Sequence, residues 1–266
     1  MLRTLLTRRW LTALALAVLF GVVAVLLGNW QYSRHGEKVE ARDRVEAHYD
    51  AAPVPLEEVL AGGSVLPPDQ EWTRVRASGS YAVEQQLFVR NRPHQGTFGY
   101  EVLVPLDTPV GTLTVDRGWA PNAENAATLP EVPPAPDGPV EVTGWLRPGE
   151  EDLGRDLPDG QLASINLDAA AEQWDRPVLG AYLVLEGEQY ADRPGAQIAR
   201  PVPLAAPRTG LGSHFAYSLQ WWLTAPVGLV LVLVMARREW RDGREDGTSP
   251  RPARPRKVRI WDEEDE

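Results

Sequence analysis

Cysteine is absent from the 266-residue sequence, and methionine occurs only at Met1 and Met235. Without thiols the chain cannot form disulfides, use a thiolate nucleophile, or bind zinc or an iron–sulfur cluster through sulfur. The scarcity of thioethers also argues against a methionine-ligated copper site. The four histidines are scattered along the chain and are not grouped at metal-ligand spacing: His35, His48, His94 and His214.

Positive charge is scarce in the middle of the chain. The sequence has 27 Lys and Arg against 37 Asp and Glu, which gives a net charge of −10. Residues 30–213 hold 15 of the basic and 28 of the acidic residues, a net charge of −13. A nucleic-acid-binding domain needs a concentrated basic face. The composition therefore predicts no nucleic-acid partner.

Enzyme motifs are missing as well. The sequence contains no glycine-rich nucleotide loop, no nucleophile elbow and no His-Glu-x-x-His pair. Acidic residues are plentiful, but most of them fall in segments that read as solvated loops. We therefore predict a binding protein that is not an enzyme.

An uncharged run of 18 residues extends from Leu11 to Gly28 and is bracketed by Trp10 and Trp30. A helix rising about 1.5 Å per residue would place the two indoles about 30 Å apart, which is the thickness of a hydrocarbon core. The alternative is a secretory signal peptide, because basic residues precede the run. No small-x-small cleavage site follows, so we interpret the run as a retained membrane anchor.

A second apolar run, residues 215–236, is also long enough to span a bilayer. Arg8 and Arg9 precede the first run, while Arg237, Arg238 and Arg241 follow the second. By the positive-inside rule both termini are then cytoplasmic, and the chain is a multi-pass protein of the cell membrane. The predicted organisation is 1–10 cytoplasmic, 11–29 transmembrane, 30–213 extracytoplasmic, 214–236 transmembrane and 237–266 a cytoplasmic tail.

The segment between the two runs is predicted to be mostly β-structure with a few helices. Short apolar stretches bounded by Gly, Pro, Asn or Asp indicate strands at 72–81, 86–92, 100–106, 112–117, 140–147, 161–166 and 181–186. Helices are predicted at 38–49 and 167–174, a further turn at 56–60, an extended loop at 130–139 and a return linker at 187–212. The fold class is therefore α+β: two transmembrane helices flank one mostly-β extracytoplasmic domain, and the tail 241–266 is predicted to be disordered.

Polar and aromatic side chains cluster where the two runs reach the predicted outer interface. His214, Tyr217, Ser218 and Trp221 follow the spacing i, i+3, i+4, i+7 and so share one helical face. Such a face is costly in lipid and should meet protein, water or a ligand. An ordinary aromatic belt would account for the tryptophans and the tyrosine, and His214 could then be a structural histidine.

The opposing run places Trp30 and Gln31 at the same depth, followed by Arg34. An aromatic belt at the membrane interface does not require His214, Gln31 or Arg34. A haem would suit these groups, because its iron accepts an imidazole and its propionates favour arginine. A quinone or a lipid head group fits these residues nearly as well.

Several segments of the chain resemble the Surf1 family of membrane proteins, which assist the assembly of haem-copper cytochrome c oxidase. The resemblance covers roughly residues 28–238, and Asp116 stands where the family often has Asn. Weaker similarity comes from Gly79-x-Tyr81 and Arg90-x-Arg92. The segments that carry the resemblance are Gly28-x-Trp30-Gln31-x-x-Arg34-x-x-x-Lys38, Val115-Asp116-Arg117-Gly118-Trp119-Ala120-Pro121 and His214-Phe-Ala-Tyr217-Ser-Leu-Gln220-Trp221.

The resemblance implies a role in supplying or stabilising haem a while oxidase subunit I matures. His214 would be the iron ligand, and the implied partners are subunit I, the haem a synthesis machinery and the lipid bilayer. The alternative is a structural chaperone that binds no cofactor, and copper delivery is disfavoured by the missing sulfur ligands. The predicted cofactor-binding residues are His214, Tyr217, Trp221, Trp30, Gln31, Arg34 and Arg117.

The middle motif also has an interpretation from its residues alone. Arg117, Gly118 and Trp119 are expected to form a turn after a strand, with Gly118 allowing a bend, Trp119 packing in the core and Pro121 ending the strand. This structural role is preferred to direct ligand contact. Arg117 is the exception, as a buried or interface-facing cation.

Overall fold

The computed structural model of the chain describes residues 5–60, 65–123 and 128–245. Its residues divide into two compact units, one formed by Met1–Glu37 with Leu211–Glu266 and the other by Lys38–Gly210. Helices dominate the first unit and strands the second. The α+β class, with two apolar helices and one sheet domain, is therefore confirmed.

The elements follow one another in an order that places the strands between the long helices. The helices are α1 (Arg8–His48), α2 (Leu56–Val59), α3 (Leu167–Trp174), α4 (His214–Thr224) and α5 (Val227–Glu245). The strands are β1 (Val54–Pro55), β2 (Arg74–Tyr81), β3 (Leu87–His94), β4 (Thr97–Thr108), β5 (Gly111–Pro121), β6 (Pro139–Arg147), β7 (Gln161–Leu162) and β8 (Val178–Tyr190).

Two helical segments are long and apolar enough to cross a membrane, namely Arg8–His48 and His214–Arg244. Both segments are rich in leucine, valine and alanine, and a helix pairs most backbone groups within itself, as a bilayer requires. Pro226 separates α4 from α5 because proline has no N–H to donate into the helix.

The sheet unit is built on a closed ring of five strands. The order along the sheet is β1-β2-β6-β8-β5-β4-β3-β7, and an additional pairing joins β2 to β4. That pairing closes β2, β6, β8, β5 and β4 on themselves through Ser80↔Asp107 and Tyr81↔Leu106. Within the ring only β5 and β8 run parallel. Closure removes the edges that these strands would otherwise expose.

Two apolar clusters lie on opposite faces of the ring strands. The larger cluster takes alternate residues from all five strands, among them Val75, Val104, Val115, Val142 and Leu183. The smaller one joins the other face of β4 and β8 to α3, through residues that include Leu103, Ala170, Trp174 and Val184. Strand β5 lies in the middle of this packing, and its residues from Leu113 to Ala120 are all buried.

The structure changes several of the predicted boundaries. Arg117, Gly118 and Trp119 do not form a turn after the strand, because they continue β5, which ends at Pro121. Gly118 has φ +133°. It lies at a bulge, where the pairing of β4 with β5 shifts between Glu101 and Leu103.

Long-range pairing also changes two other segments. The predicted strand at 161–166 shortens to Gln161–Leu162, since β3 pairs with it only there. The predicted linker at 187–212 begins later, because β8 stays paired with β6 as far as Tyr190. Residues 241–245 belong to α5, and the rest of the predicted disordered tail lies outside the described residues.

Candidate functional site

Small residues bring the two long helices of the first unit together. Ala17, Gly21, Ala24 and Gly28 lie at four-three-four spacing on α1, and Ala17, Ala24 and Gly28 are buried. A Cβ on Gly28 would overlap the indole of Trp222, and one on Gly21 would lie 3.2 Å from the carbonyl oxygen of Ala225. These residues let the two backbones approach closely, which is how helices associate in lipid.

The end of the helix pair that carries His214 is joined by polar contacts. His214 Nδ1 lies 2.9 Å from Gln31 Oε1, and Trp222 donates from Nε1 to Asn29 Oδ1 at 3.2 Å. Gln31 and His214, which the sequence predicts to lie at the same depth, are thus joined by a direct hydrogen bond. The first and last motifs of the sequence therefore meet in space.

The bond to Gln31 determines which nitrogen of His214 is available. When Nδ1 carries the proton and donates to the amide oxygen, Nε2 keeps its lone pair. No other hydrogen bond of the His214 ring occurs within the part of the chain that the structure describes. A histidine that donates through one nitrogen and offers the other is the arrangement that metal-ligating histidines use. The imidazole is half-buried, so it is held without being enclosed.

The remaining predicted site residues of this unit are arranged more loosely. Trp30 is 53% exposed, and the guanidinium of Arg34 lies 5.9 Å from the centre of its ring. Arg34 also donates to Glu37 at 2.8 Å. Tyr217 is exposed and Trp221 is half-buried. Among the described residues no side-chain hydrogen bond or ring contact joins Tyr217 or Trp221 to His214.

Arg117 belongs to the sheet unit, and its guanidinium is fully engaged there. The side chain is completely buried and pairs with Glu188, whose side chain is 1% exposed, at 2.6 Å. It also donates to the carbonyl oxygens of Pro133 at 3.1 Å and Ala199 at 3.3 Å. Tyr81 donates to the same glutamate at 2.9 Å. The structure thus makes Arg117 a buried cation that links β5, β8 and two loops.

Trp119 and Gly118 pin a later segment of the chain onto β5. Trp119 exchanges two backbone hydrogen bonds with Val202, at 2.8 and 2.9 Å, and its indole donates to the carbonyl of Arg92 at 2.8 Å. A Cβ on Gly118 would come 2.5 Å from the carbonyl oxygen of Val202. The glycine is therefore needed for this close approach.

A cluster of buried charges in the sheet unit was not predicted from the sequence. Arg92, Glu101, Asp116 and Arg147 line one cavity of about 580 Å³. They come from four different strands, so no spacing pattern in the local sequence indicates that they lie together. The single available signal is Asp116, a carboxylate in the middle of an apolar strand.

Comparison with known proteins gives one consistent family. A model of the SURF1 family matches residues 18–225, a range that contains all three quoted motifs. An uncharacterized SURF1-like protein of Mycobacterium bovis is 31% identical over 262 residues, which cover 94% of this chain and 92% of the relative. A SURF1-like protein of Mycobacterium tuberculosis matches with the same identity and coverage. The resemblance predicted from the motifs is confirmed.

Proposed function

The chain belongs to the SURF1 family, and we propose on that premise that it is a membrane-bound assembly factor for haem-copper cytochrome c oxidase. It acts by binding and transfer and is not an enzyme. Its cargo is haem a, held near the outer membrane interface and passed to subunit I of the oxidase. The haem a synthesis machinery is the proposed source of the cargo.

The hydrogen bond between Gln31 and His214 is the observation that carries the haem proposal. It fixes the imidazole and leaves Nε2 free to bind iron, while the porphyrin would lie against Trp30, Tyr217 and Trp221. Arg34 forms an ion pair with Glu37 at the exposed surface. It can exchange this carboxylate for a haem propionate. Haem supplies the redox chemistry after delivery, and this chain supplies one ligand and an apolar surface.

His214→Ala tests the role of the iron ligand. Co-expression with haem a synthesis and purification in detergent should give a Soret band in the wild type. The variant should lose most of the haem or shift the band, because the nitrogen that would bind the iron is gone. His35→Ala is the matched control, since His35 packs against Phe215 at the same end of the helix pair. An unchanged spectrum in His214→Ala, or loss of haem only in His35→Ala, would refute the assignment.

Gln31→Leu separates positioning from ligation. This variant keeps the imidazole but removes the acceptor that orients it. We expect haem to remain bound, with a weaker affinity and an altered absorption spectrum, because the imidazole would be less basic and less fixed. If Gln31→Leu and the wild type have the same spectrum and affinity, the hydrogen bond has no part in ligation.

The proposed topology places both termini in the cytoplasm and the sheet unit outside. It rests on the arginines that flank the spanning segments on the proposed cytoplasmic side, namely Arg8, Arg9, Arg237, Arg238 and Arg241. The absence of cysteine allows a clean test with single-cysteine variants. Ser78 is exposed on β2, so Ser78→Cys should react with an impermeant maleimide on intact spheroplasts, and Thr248→Cys should react only after lysis. The reverse pattern would invert the topology.

A second function is a chaperone that docks on nascent oxidase and binds no cofactor. The packing of Trp222 on Gly28 favours it, because both end motifs then serve to hold the helices together. Gly28→Ala should then disturb co-purification with subunit I, whereas Gly36→Ala should not, since no atom lies within 4 Å of a Cβ there. Protein that never carries haem, yet co-purifies with subunit I in a Gly28-dependent manner, would favour this function over the first.

A further inference from the structure

The cavity in the sheet unit has the size and lining of a ligand site. Its volume of about 580 Å³ lies within the range of about 300–1,000 Å³ that is usual for small-molecule sites. It opens on the face of β5 opposite the ring core. Apolar walls come from Trp72, Val184, Leu204 and Pro207, and polar side chains are gathered among them.

Asp116 lines this cavity with an unused hydrogen-bonding atom. The residue is 1% exposed. Its Oδ1 accepts from the backbone N–H of Gly118 at 3.1 Å, whereas Oδ2 is buried and has no partner among the described residues. Burial, together with the nearby charge of Glu101, raises the pKa of Asp116 well above its usual range. When it is protonated, this carboxyl carries a hydroxyl that can donate a hydrogen bond.

Arg147 also lacks a close partner. Its only ion pair within the described part of the chain is a 3.5 Å contact with Glu71, and its Nε is buried without a hydrogen-bond acceptor. The guanidinium lies 4.8 Å from the centre of the Trp72 ring, which fixes its plane. The planar guanidinium of Arg147 is therefore fixed on one side of the cavity, where its N–H groups can bind an anion.

The other charges in the cavity nearly cancel. Arg92 is bound by Glu101 at 2.5 Å and Glu150 at 2.8 Å, so it brings no free positive charge. Arg208 stands exposed at the rim, without an ion pair among the residues described. With Asp116 neutral, Arg92, Arg147 and Arg208 balance Glu71, Glu101 and Glu150, so the net charge around the cavity is about zero. Such a site suits an anion of one charge better than a phosphate dianion, which would meet Glu101 and Glu150.

We propose that this cavity binds a single carboxylate carried on an apolar body, with the Arg147 guanidinium and the Asp116 carboxyl as its donors. The apolar body packs on Trp72 and Leu204. Arg147 offers two parallel N–H groups, the geometry that a carboxylate accepts. The site does not involve His214, so its test is independent of haem binding at that residue.

Calorimetric titration of the full chain in lipid nanodiscs tests the site, with empty nanodiscs as the blank. The probe is 2-naphthoate, and 2-naphthylmethanol and 2-naphthyl phosphate share its ring. We expect saturable binding of the carboxylate, with the alcohol and the phosphate weaker by about tenfold or more, since a charged hydrogen bond is lost or charge repulsion is added. Equal affinities of the three compounds would overturn the proposal.

Arg147→Gln should weaken naphthoate binding by about tenfold or more, because it removes the charge that pairs with the ligand. Arg176→Gln is the matched control, since this arginine pairs with Asp107 outside the cavity. Affinity that stays unchanged in Arg147→Gln, or that falls equally in both variants, would refute the assigned donor.

The pH dependence tests the role of Asp116. Naphthoate affinity should fall as pH rises through the pKa of Asp116, because the ionised carboxylate would repel the ligand. Asp116→Asn keeps a donor and should remove this pH dependence while retaining affinity within a few-fold. A pH profile that is the same in both proteins would exclude Asp116 as the donor. The charged and titratable groups that act on Asp116 from neighbouring elements are Arg92, Glu101, Glu150 and Tyr182, and Arg147 lines the same cavity.

The carboxylate can come from a free amphiphilic acid or from a porphyrin propionate. Competition by metal-free protoporphyrin, but not by its dimethyl ester, would identify the propionate, and it requires no iron ligand. Binding of naphthoate without such competition would identify a small acid. If neither naphthoate nor protoporphyrin binds, the proposal is wrong even where His214-dependent haem binding is found.

Discussion

The sheet unit contains two clusters of buried charge that differ in how completely they are satisfied. The closed cluster consists of Arg117, Glu188 and Tyr81. There the side chains of the ion pair are enclosed, and carbonyl oxygens take further guanidinium donors. The open cluster consists of Arg92, Glu101, Asp116 and Arg147. It lines a cavity and, among the described residues, leaves Asp116 Oδ2 and Arg147 Nε without partners.

The difference separates two uses of buried charge in one domain. A buried ion pair stabilises little relative to an apolar pair, but removing one of its members is costly. The closed cluster therefore fixes loops and strands in one arrangement. An unsatisfied buried group costs free energy in the empty state, and that cost is recovered when a ligand supplies the missing partner. Substitutions should affect folding in the closed cluster and binding in the open one.

Arg117→Ala should give the largest loss of stability. It leaves the carboxylate of Glu188 buried and unpaired, and we expect about 3–5 kcal/mol of destabilisation. Urea unfolding of the full chain in detergent, followed by tryptophan fluorescence, measures this loss. Arg117→Met combined with Glu188→Leu should recover part of it, since the buried charge is gone but the Tyr81 hydroxyl loses its acceptor. A single variant as stable as the wild type would show that the closed cluster is not structural.

Tyr81→Phe should have a smaller effect in the same cluster. Burial raises the pKa of Tyr81 well above its usual range, so the phenol stays neutral and donates to Glu188. Loss of a hydrogen bond to a charged acceptor costs about 1.5–3 kcal/mol. Tyr190→Phe is the control, because this ring is only partly buried. Equal unfolding midpoints for the two variants would contradict the prediction.

The stability of the open cluster should depend on pH through Asp116. Burial raises the pKa of Asp116 in the folded chain above its unfolded value, so folding favours the protonated form. This contribution is complete below about pH 4 and is lost as pH rises through the raised pKa. Asp116→Asn should remove the loss, so its melting temperature should exceed that of the wild type increasingly as pH rises. A constant difference between the two melting curves would contradict this.

Arg147→Gln should change stability least. Its ion pair with Glu71 is long, at 3.5 Å, and the Arg147 side chain is 33% exposed. Partly exposed pairs of this kind contribute about 1 kcal/mol or less. The same urea titration as for Arg117→Ala gives the comparison directly. A destabilisation as large as that of Arg117→Ala would erase the distinction between the two clusters.

Local signals predicted the bounds of helix α3 better than those of the other helices, since the predicted helix at 38–49 is part of α1 and the predicted span 214–236 is divided at Pro226. Helix α3 has its predicted bounds, because Asn166 caps it through a bond from the N–H of Ala169 and Asp175 ends it in a left-handed conformation. The predicted strand β5 is too short because a glycine, here Gly118, is typical of a strand end. The bulge there depends on Val202, more than 80 residues later.

The site residues divide in the same way. Gln31 and His214 were paired from their depth along two apolar runs, since helical rise converts sequence position into height. The members of the open cluster lie between residues 92 and 147 on four strands whose neighbours are set by the pairing of the whole sheet. Sequence spacing holds no information about such neighbours, so the cavity could be found only from the structure.

Strand β8 has a consequence for the order in which the protein is made. It lies between β5 and β6 in the ring, yet it is the last strand to leave the ribosome before the second apolar helix. Until it arrives, β5 and β6 each present an unpaired edge, and the non-local pairing that seals them is intrinsically slow. A chain interrupted before Val178 should therefore aggregate, even though most of its strands are complete.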